Sequence, residues 1–598
     1  MTTHFDVIVH ATHEAGIKVG GIGAVLDSLL SNPAYVRAVD RTLLVGPFNT
    51  TDPVEMERLF APANKLTVRY SGLHGISEVD AELARAFERI ELYYHVHLLY
   101  GTRRFGAFEH EVLLVDPREM VPQPVEHFKY HLWEHFGVES LRYEHDPEYE
   151  LHVRAAEPAF LGVQALIGQG PHPRPPAARR ADPEKRTLFV AHEWLGLPIV
   201  LSALLRMPGA YHTAFYAHEV ATVRRLIETH PGHDTRFYNA MYRARERGLY
   251  LEDVFGDQSD FFKHALLQAA GALDAFLAVG DLVVDELRFF SPLFARRPIF
   301  LTYNGVPGEA ITSEEKAASK ARLQQYAENL LGFRPTWVFS HVTRMVVSKG
   351  LWRDVRVMEQ LDPLLAARGE TAVLFTLSSA VPAGRRSEDV FRWEAEYGWP
   401  VNHRADNGDL VGPELEYYRA IQQYNRTAQA SRIVLVNQFG WSRERCGRRM
   451  PADMRFVDLR RGTDLEFGQS IYEPFGIAQV EPLAFGAICC LSNVCGCVGF
   501  LGQAGGNKLP NVIVADYVSL PPSLQVNSLA EILAIGEEER RLVETEMAGE
   551  VAAKIIARLP RTPEEQAHML ADGQALSQRT SWDVVVRDQL LPALSQIV

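Results

Sequence analysis

A chain of 598 residues is too long for one hydrophobic core and divides into two or more domains. Its 47% hydrophobic and 23% charged residues are ordinary for a soluble globular protein, and a net charge of -14 excludes a general binder of nucleic acid or anionic membrane. An anionic ligand therefore requires a local cationic pocket. No apolar run approaches a membrane span, and five cysteines are few for this length, which implies a reduced, cytoplasmic setting.

The start, Met1 to Val9, has neither the basic opening nor the long apolar core of a leader, and Phe5 to Ala11 (FDVIVHA) predicts a buried strand. Glu14 to Leu30 (EAGIKVGGIGAVLDSLL) follows, with Ile22, Val25, Leu26, Leu29 and Leu30 at helical spacing. Strand, glycine-rich turn and helix form the doubly wound phosphate-binding layout. The backbone N–H groups near Gly20 and Gly21 stand at the helix start, and Lys18 adds a cation. The glycine spacing is not that of a dinucleotide fingerprint, and no Gly-Lys-Ser/Thr follows.

Residues 50–185 alternate strand-like and helix-like pieces and read as an insertion, dense in aromatic and histidine residues from Phe87 to Phe136. Within it, 169–183 (QGPHPRPPAARRADP) reads as a Pro/Arg-rich surface loop. Thr187 to Trp194 (TLFVAHEW) predicts a strand with His192 and Glu193 at its polar end, where open α/β folds bind ligands. Tyr211 to Arg225 repeats the pattern with His218 and Glu219, followed by Arg224. A histidine beside an apolar strand also reads as a satisfied core residue. Leu266 to Val279 predicts a helix then a strand, and Pro298 to Gly305 closes the first half at an Asn304-Gly305 turn.

Ile311 to Leu330 is a charged helical connector, and Thr336 to Thr343 restarts the strand pattern. Arg344 and Lys349 stand at the following strand-to-helix turn; two cations there make a diphosphate clamp or, more simply, surface salt bridges. Residues 383–430 form a polar, charged insertion with helical stretches. Ile433 to Val436, Arg455 to Leu459 and Ala487 to Leu491 are further strands, and Arg443 to Arg449 is a basic cluster that reads as a solvated loop or a site for an anionic regulator.

Ser470 to Glu481 (SIYEPFGIAQVE) places two carboxylates eight positions apart. Pro474 favours a first helical turn, and Gly476, after Phe475, lets the backbone approach a ligand. Glu473 is then expected on a loop at a helix N-terminus and Glu481 about two turns into that helix on the same side. Such an arrangement suits a ligand with a phosphate for the helix amides and hydroxyls for the carboxylates, although a helix cap with a solvent-facing Glu has the same pattern. The cysteine run from Cys489 to Cys497 lacks two paired Cys-x2-Cys knuckles and reads as buried small residues in preference to a metal site.

These stretches give an α/β chain of two open halves. The expected domains are 1–305 with the insertion 50–185, a connector 306–333, a second domain 334–575 with the insertion 383–430, and a C-terminal helix 576–598 packing back toward the first domain.

Taken in order, the blocks resemble the retaining glycosyltransferases of GT-B fold, specifically the glycogen and starch synthases. Glu14 to Ile22 resembles the Lys-Val-Gly-Gly-Ile block of the eukaryotic glycogen synthases, and Ala191 to Leu195 is similar to their His-Glu-Trp strand end. His218 with Arg224 resembles their sugar-side pair, and Asn304-Gly305 their domain-closing element. Glu473 with Glu481 is similar to the Glu-x7-Glu signature of several retaining transferase families. The four-residue gap between Arg344 and Lys349 is that of the bacterial enzymes, so the match is a mosaic.

The resemblance implies two Rossmann-like doubly wound domains facing a central cleft, a nucleotide-sugar donor (UDP- or ADP-glucose) and a glucan or other carbohydrate acceptor, with no cofactor and no metal. It implies Arg344 and Lys349 on the diphosphate, Lys18, Gly20 and Gly21 meeting the phosphates, Glu473 on the sugar, Glu481 on the ribose and His218 beside the sugar. Phe475, Gly476, Arg224, His192 and Glu193 join the expected nucleotide-sugar contacts. Self-association is left open, and the alternatives are a retaining glycosyltransferase with a small or non-glucan acceptor and a non-catalytic nucleotide- or glycan-binding regulator on the same fold.

Overall fold

The computed structural model describes residues 4–168, 187–381, 384–398, 409–506, 509–524 and 526–598. The Pro/Arg-rich stretch 169–183 lies outside the described residues, as do 399–408 of the second insertion. The chain forms two compact units: unit 1 comprises Met1–Thr222, Leu249–Gly305 and Trp582–Val598, and unit 2 comprises Val223–Gly248 and Val306–Ser581. Residues 223–248 thus belong to the second unit although they precede most of it in sequence.

Unit 1 is built on strands β1 (Phe5–Ala11), β2 (Val39–Pro47), β3 (Leu66–Ser71), β4 (Ile76–Ser77), β5 (His97–Phe105), β6 (Phe108–Asp116), β7 (Thr187–His192), β8 (His212–Ala217), β9 (Ala275–Ala278) and β10 (Ile299–Leu301). They form one sheet in the order β10-β9-β8-β7-β1-β2-β6-β5-β3-β4. Strands β10 through β6 of that order run parallel, while β5, β3 and β4 add an antiparallel edge. The segment expected as an insertion therefore supplies strands to the sheet itself. All six residues of β7 are buried, as a parallel strand covered on both faces requires. The helix Gly21–Leu30 buries Ile22, Val25, Leu26, Leu29 and Leu30, the stripe set by its sequence spacing. Each such aliphatic side chain contributes roughly 1.5–3 kcal/mol on full burial.

Unit 2 contains β11 (Trp337–Val342), β12 (Ala372–Leu377), β13 (Ser431–Val436), β14 (Leu465–Gly468), β15 (Ile488–Ser492) and β16 (Val512–Ala515), all parallel, in the order β13-β12-β11-β14-β15-β16. This is the doubly wound order, with its reversal between β11 and β14. Alternate side chains serve opposite faces. Phe339, Leu374, Ile433 and Leu435 join one core with Met358 and Val551, whereas Val338, Phe375, Val434 and Val436 join another with Leu323 and Trp441.

Two sequence expectations are corrected. Arg455 to Leu459 is not a strand: Phe456–Gly462 is a helix, its entry fixed by the Asp458 carboxylate accepting from the Arg455 N–H at 2.9 Å. A short apolar run does not distinguish the two periods. The helix after Glu473 is also shorter than expected, covering Ile477–Val480 and giving way to a 3-10 turn at Glu481–Phe485. Pro482 has no N–H to donate back to the Ala478 carbonyl. The Arg460 guanidinium donates to that carbonyl instead.

Candidate active site

In unit 2 the reversal point is built by the loops after β11 and β14. The turn after β11 passes through a single 3-10 turn, Val347–Lys349, to Gly350 at φ +60, ahead of the helix Leu351–Arg368. A Cβ at Gly350 would sit 2.6 Å from the Gln469 carbonyl oxygen, so both conformation and space demand glycine. The Ser348 carbonyl accepts from the Ile471 N–H at 2.8 Å, holding this turn against the loop after β14.

The Lys349 ammonium pairs with Glu473 Oε2, with side chains only 14% and 13% exposed. Gln479 Nε2 donates to the same oxygen at 3.2 Å and to Ser470 Oγ at 2.8 Å. The Glu473 carbonyl accepts from the Gly496 N–H at 3.0 Å, and a Cβ on Gly496 would lie 1.8 Å from the Pro474 carbonyl oxygen. Glu473 is thus clamped by both backbone and side chain. Arg344 is exposed, and its guanidinium has no hydrogen bond or ion pair among the described residues. Phe475 is 2% exposed and Gly476 adopts φ +93 at the helix start.

Glu481 does not share a partner with Glu473. Its Oε2 lies 3.0 Å from the Nε of buried Arg460, whose Nη1 is 3.1 Å from Glu466 on β14. At 31% exposed, the Glu481 side chain keeps access to solvent. The two glutamates sit in the same stretch but in separate charge clusters.

In unit 1 the glycine-rich turn after β1 has an anion of its own. Glu14, 1% exposed, accepts from the Val19 and Gly20 N–H groups with Oε2, each at 2.6 Å. A Cβ on Gly23 would meet that oxygen at 2.2 Å. The Gly20 amide expected to hold a phosphate is therefore satisfied within the chain, while Lys18 is exposed and paired with Asp27 at 3.3 Å.

The ends of β1, β7 and β8 bring three histidines into one hydrogen-bonded chain. Tyr35 Oη lies 2.9 Å from His10 Nε2, His10 Nδ1 2.8 Å from His192 Nε2, and His192 Nδ1 2.9 Å from His218 Nε2. One proton per link satisfies all three neutral rings, with the bonds running in either direction. Burial favours the neutral rings: His10 and His218 are each held down to about 3, and His192 well below its ordinary value. Glu193 anchors the outer end. Its Oε1 accepts from the His218 N–H and, at 2.7 Å, from the Glu219 N–H, with its own backbone at φ +58. Burial, then the neighbouring Glu219, pushes the Glu193 carboxyl well above the usual range. Arg224 belongs to unit 2, with Nε 3.0 Å from Glu228.

Sequence reading missed His10, Glu14, Gln479 and Arg460. His10 sits in an apolar strand run, and only the wish of a buried imidazole for a partner marks it. The four clustered cysteines are buried and free. Among the described residues they do not form a metal-binding group. The basic cluster Arg443–Arg449 is tied down where the Arg448 and Arg449 N–H groups donate to the Glu394 carboxylate at 2.6 and 2.9 Å. Among the described residues, no helix is long and apolar enough to cross a membrane.

No protein-family model matches the chain, and no curated protein matches it by sequence. Solved structures do match. The N-terminal domain of a Candida albicans trehalose-6-phosphate phosphatase superposes at TM-score 0.50 with 11% identity, over 100% of this chain and 96% of that one. An α,α-trehalose-phosphate synthase (UDP-forming) from Burkholderia vietnamiensis gives 0.47 with 13% identity, over 100% and 98%. A sucrose-phosphate synthase from Thermosynechococcus elongatus gives 0.43 with 12% identity, over 99% and 98%. At such identities the likeness is one of fold: two Rossmann-like units of the GT-B class.

Proposed function

We propose that the chain is a retaining glycosyltransferase that moves glucose from UDP- or ADP-glucose to the non-reducing end of an α-1,4-glucan. The observation that carries the transferase reading is the largely buried Lys349–Glu473 pair, in the same strand-to-helix turn as an exposed Arg344 whose guanidinium has no partner among the described residues, at the reversal point of the doubly wound sheet in unit 2. Ligands of such sheets bind at that point, outside the carboxyl ends of the strands. The glucan acceptor rests on the motif resemblance.

In this reading Arg344 grips the diphosphate with its planar fork, and Lys349 stands over the oxygen that leaves. The N-terminal amides of the helix Leu351–Arg368 add partial positive charge. The bond from the sugar C1 to the diphosphate oxygen breaks, its electron pair leaving with the nucleotide. An acceptor hydroxyl oxygen bonds C1 on the same face and passes its proton to the departing phosphate. Lys349 and Arg344 stabilise the charge that develops, an effect on the order of a hundredfold or more for each aimed donor. Glu473, held by Gln479 through Oε2, directs Oε1 to sugar hydroxyls, and Glu481 accepts from the ribose. In unit 1 the His218 ring is oriented by His192, His10 and Tyr35.

The test is nucleotide release from UDP-glucose and from ADP-glucose with glycogen, with free glucose or with a sugar phosphate. Release that depends on glycogen supports the reading. Dependence on a sugar phosphate keeps the transferase and replaces the acceptor. No release with any acceptor overturns it for glucosyl donors.

A further inference from the structure

The helix Pro122–Phe136 of unit 1 carries a set of donor atoms that the proposed transfer reaction does not use. Val125, Phe128 and Leu132 bury one face of it, and Gly137 closes it in the left-handed conformation, so its outer face is displayed from a fixed backbone. On that face His127, His131 and His135 follow one another at four-residue spacing, which stacks them on one side of a helix. Glu134 Oε2 lies 3.2 Å from His131 Nδ1 and 3.3 Å from His135 Nε2. One ligand atom from each of His131, Glu134 and His135 falls within 4.8 Å of the others. Two ligands about 2.1 Å from one tetrahedral zinc ion lie about 3.4 Å apart, so both short separations are already near coordination distance.

The groups behind these atoms are also in place. His127 Nε2 lies 3.0 Å from His131 Nε2, the nitrogen that does not face Glu134. Tyr130 Oη donates to Glu134 Oε1 at 3.2 Å, the oxygen that does not face the histidines. Metal-binding imidazoles and carboxylates are characteristically held by such bonds on their far atoms.

We propose that His131, Glu134 and His135 bind one divalent transition-metal ion of the zinc type, with His127 and Tyr130 orienting the ligands. Two imidazoles and one carboxylate suit Zn2+ over the oxygen-preferring Mg2+ and Ca2+. Three protein ligands leave a coordination position for water or for a group on another molecule. The side chains are 32%, 42% and 52% exposed, so an ion reaches them without unfolding the helix.

The full-length protein, stripped with chelator and dialysed, is titrated with Zn2+ by calorimetry and with Co2+ by its visible absorption. The proposal expects one equivalent bound with a tetrahedral cobalt spectrum, at least tenfold weaker in His131→Ala and in His135→Ala, and about tenfold weaker in Tyr130→Phe. Circular dichroism checks that these surface variants stay folded. The proposal expects a Kd of about 10 μM or tighter, and weaker binding or none overturns it. So does binding that survives the double variant His131→Ala/His135→Ala unchanged.

Discussion

Glu193 shows how an uncommon backbone conformation can fix the end of a hydrogen-bonded chain. Its backbone stands at φ +58, a conformation that costs a non-glycine residue about 1–3 kcal/mol and persists only when the surroundings enforce it. The strain turns the carboxylate onto the His218 and Glu219 amides and so fixes the end of the histidine chain. Glu193→Ala leaves those N–H groups without their acceptor, and the expected loss is about 1–3 kcal/mol by denaturant unfolding. Glu193→Gln keeps a carbonyl acceptor and is expected near wild-type stability. Equal damage from both variants would contradict this account. His192, Glu193 and His218 were legible because polar residues closing two successive strands are a local pattern. His10 and Glu14 were not, because each acts through a partner outside its own segment, or through a turn whose shape the sequence does not display.

At the scale of elements, Arg353 holds unit 2 together from the first turn of the helix Leu351–Arg368. It is fully buried, bonded to Asp234 at 2.7 and 3.0 Å and to Glu544 at 3.0 Å, and stacked 3.8 Å over the Tyr517 ring. Through Asp234 it fastens the segment Val223–Gly248, and through Glu544 the helix Glu537–Arg558. Arg353→Met is expected to destabilise the protein by about 3–5 kcal/mol, because it strands two buried carboxylates. A change under about 1 kcal/mol in a denaturant titration would refute this. The charge cluster is not legible in the sequence, since Asp234 and Glu544 stand 119 and 191 positions away from Arg353 along the chain. The misread strand at Arg455 to Leu459 and the shortened helix before Glu481 have a more local cause: a few apolar residues fit either period, and Pro482 ends one ladder of bonds and hands its acceptor to Arg460.

For the molecule as a whole, two doubly wound sheets were legible from buried strands alternating with helical patterns, and the GT-B class followed from the ordered motif blocks. Which sheet receives residues 223–248 was not, since amphipathic spacing specifies a buried face without naming what buries it. The unit 1 histidines add a pH dependence. His10, His152 and His218 are each lowered to about 3 by burial, and His192 lies well below its ordinary value of about 6.5. With folded values below unfolded ones, the unfolded chain binds more protons once the pH drops beneath about 6.5. Stability is therefore fully present above that pH and is lost as the pH falls toward 3, by about 1.4 kcal/mol per pH unit for each fully suppressed imidazole. The melting temperature is expected to fall steeply between pH 6.5 and 5, a window set by these shifts; a flat profile there would show that the rings accept protons in the folded state.

In the proposed transfer, Arg344 and Lys349 stabilise a departing diphosphate. The most direct measurement is steady-state nucleotide release by the wild-type protein, Arg344→Ala and Lys349→Ala with saturating donor and acceptor. A fall in kcat on the order of a hundredfold or more is expected for each variant, with Arg344→Ala leaving stability unchanged because its guanidinium is exposed and has no partner among the described residues. Near-normal turnover in either variant would contradict it.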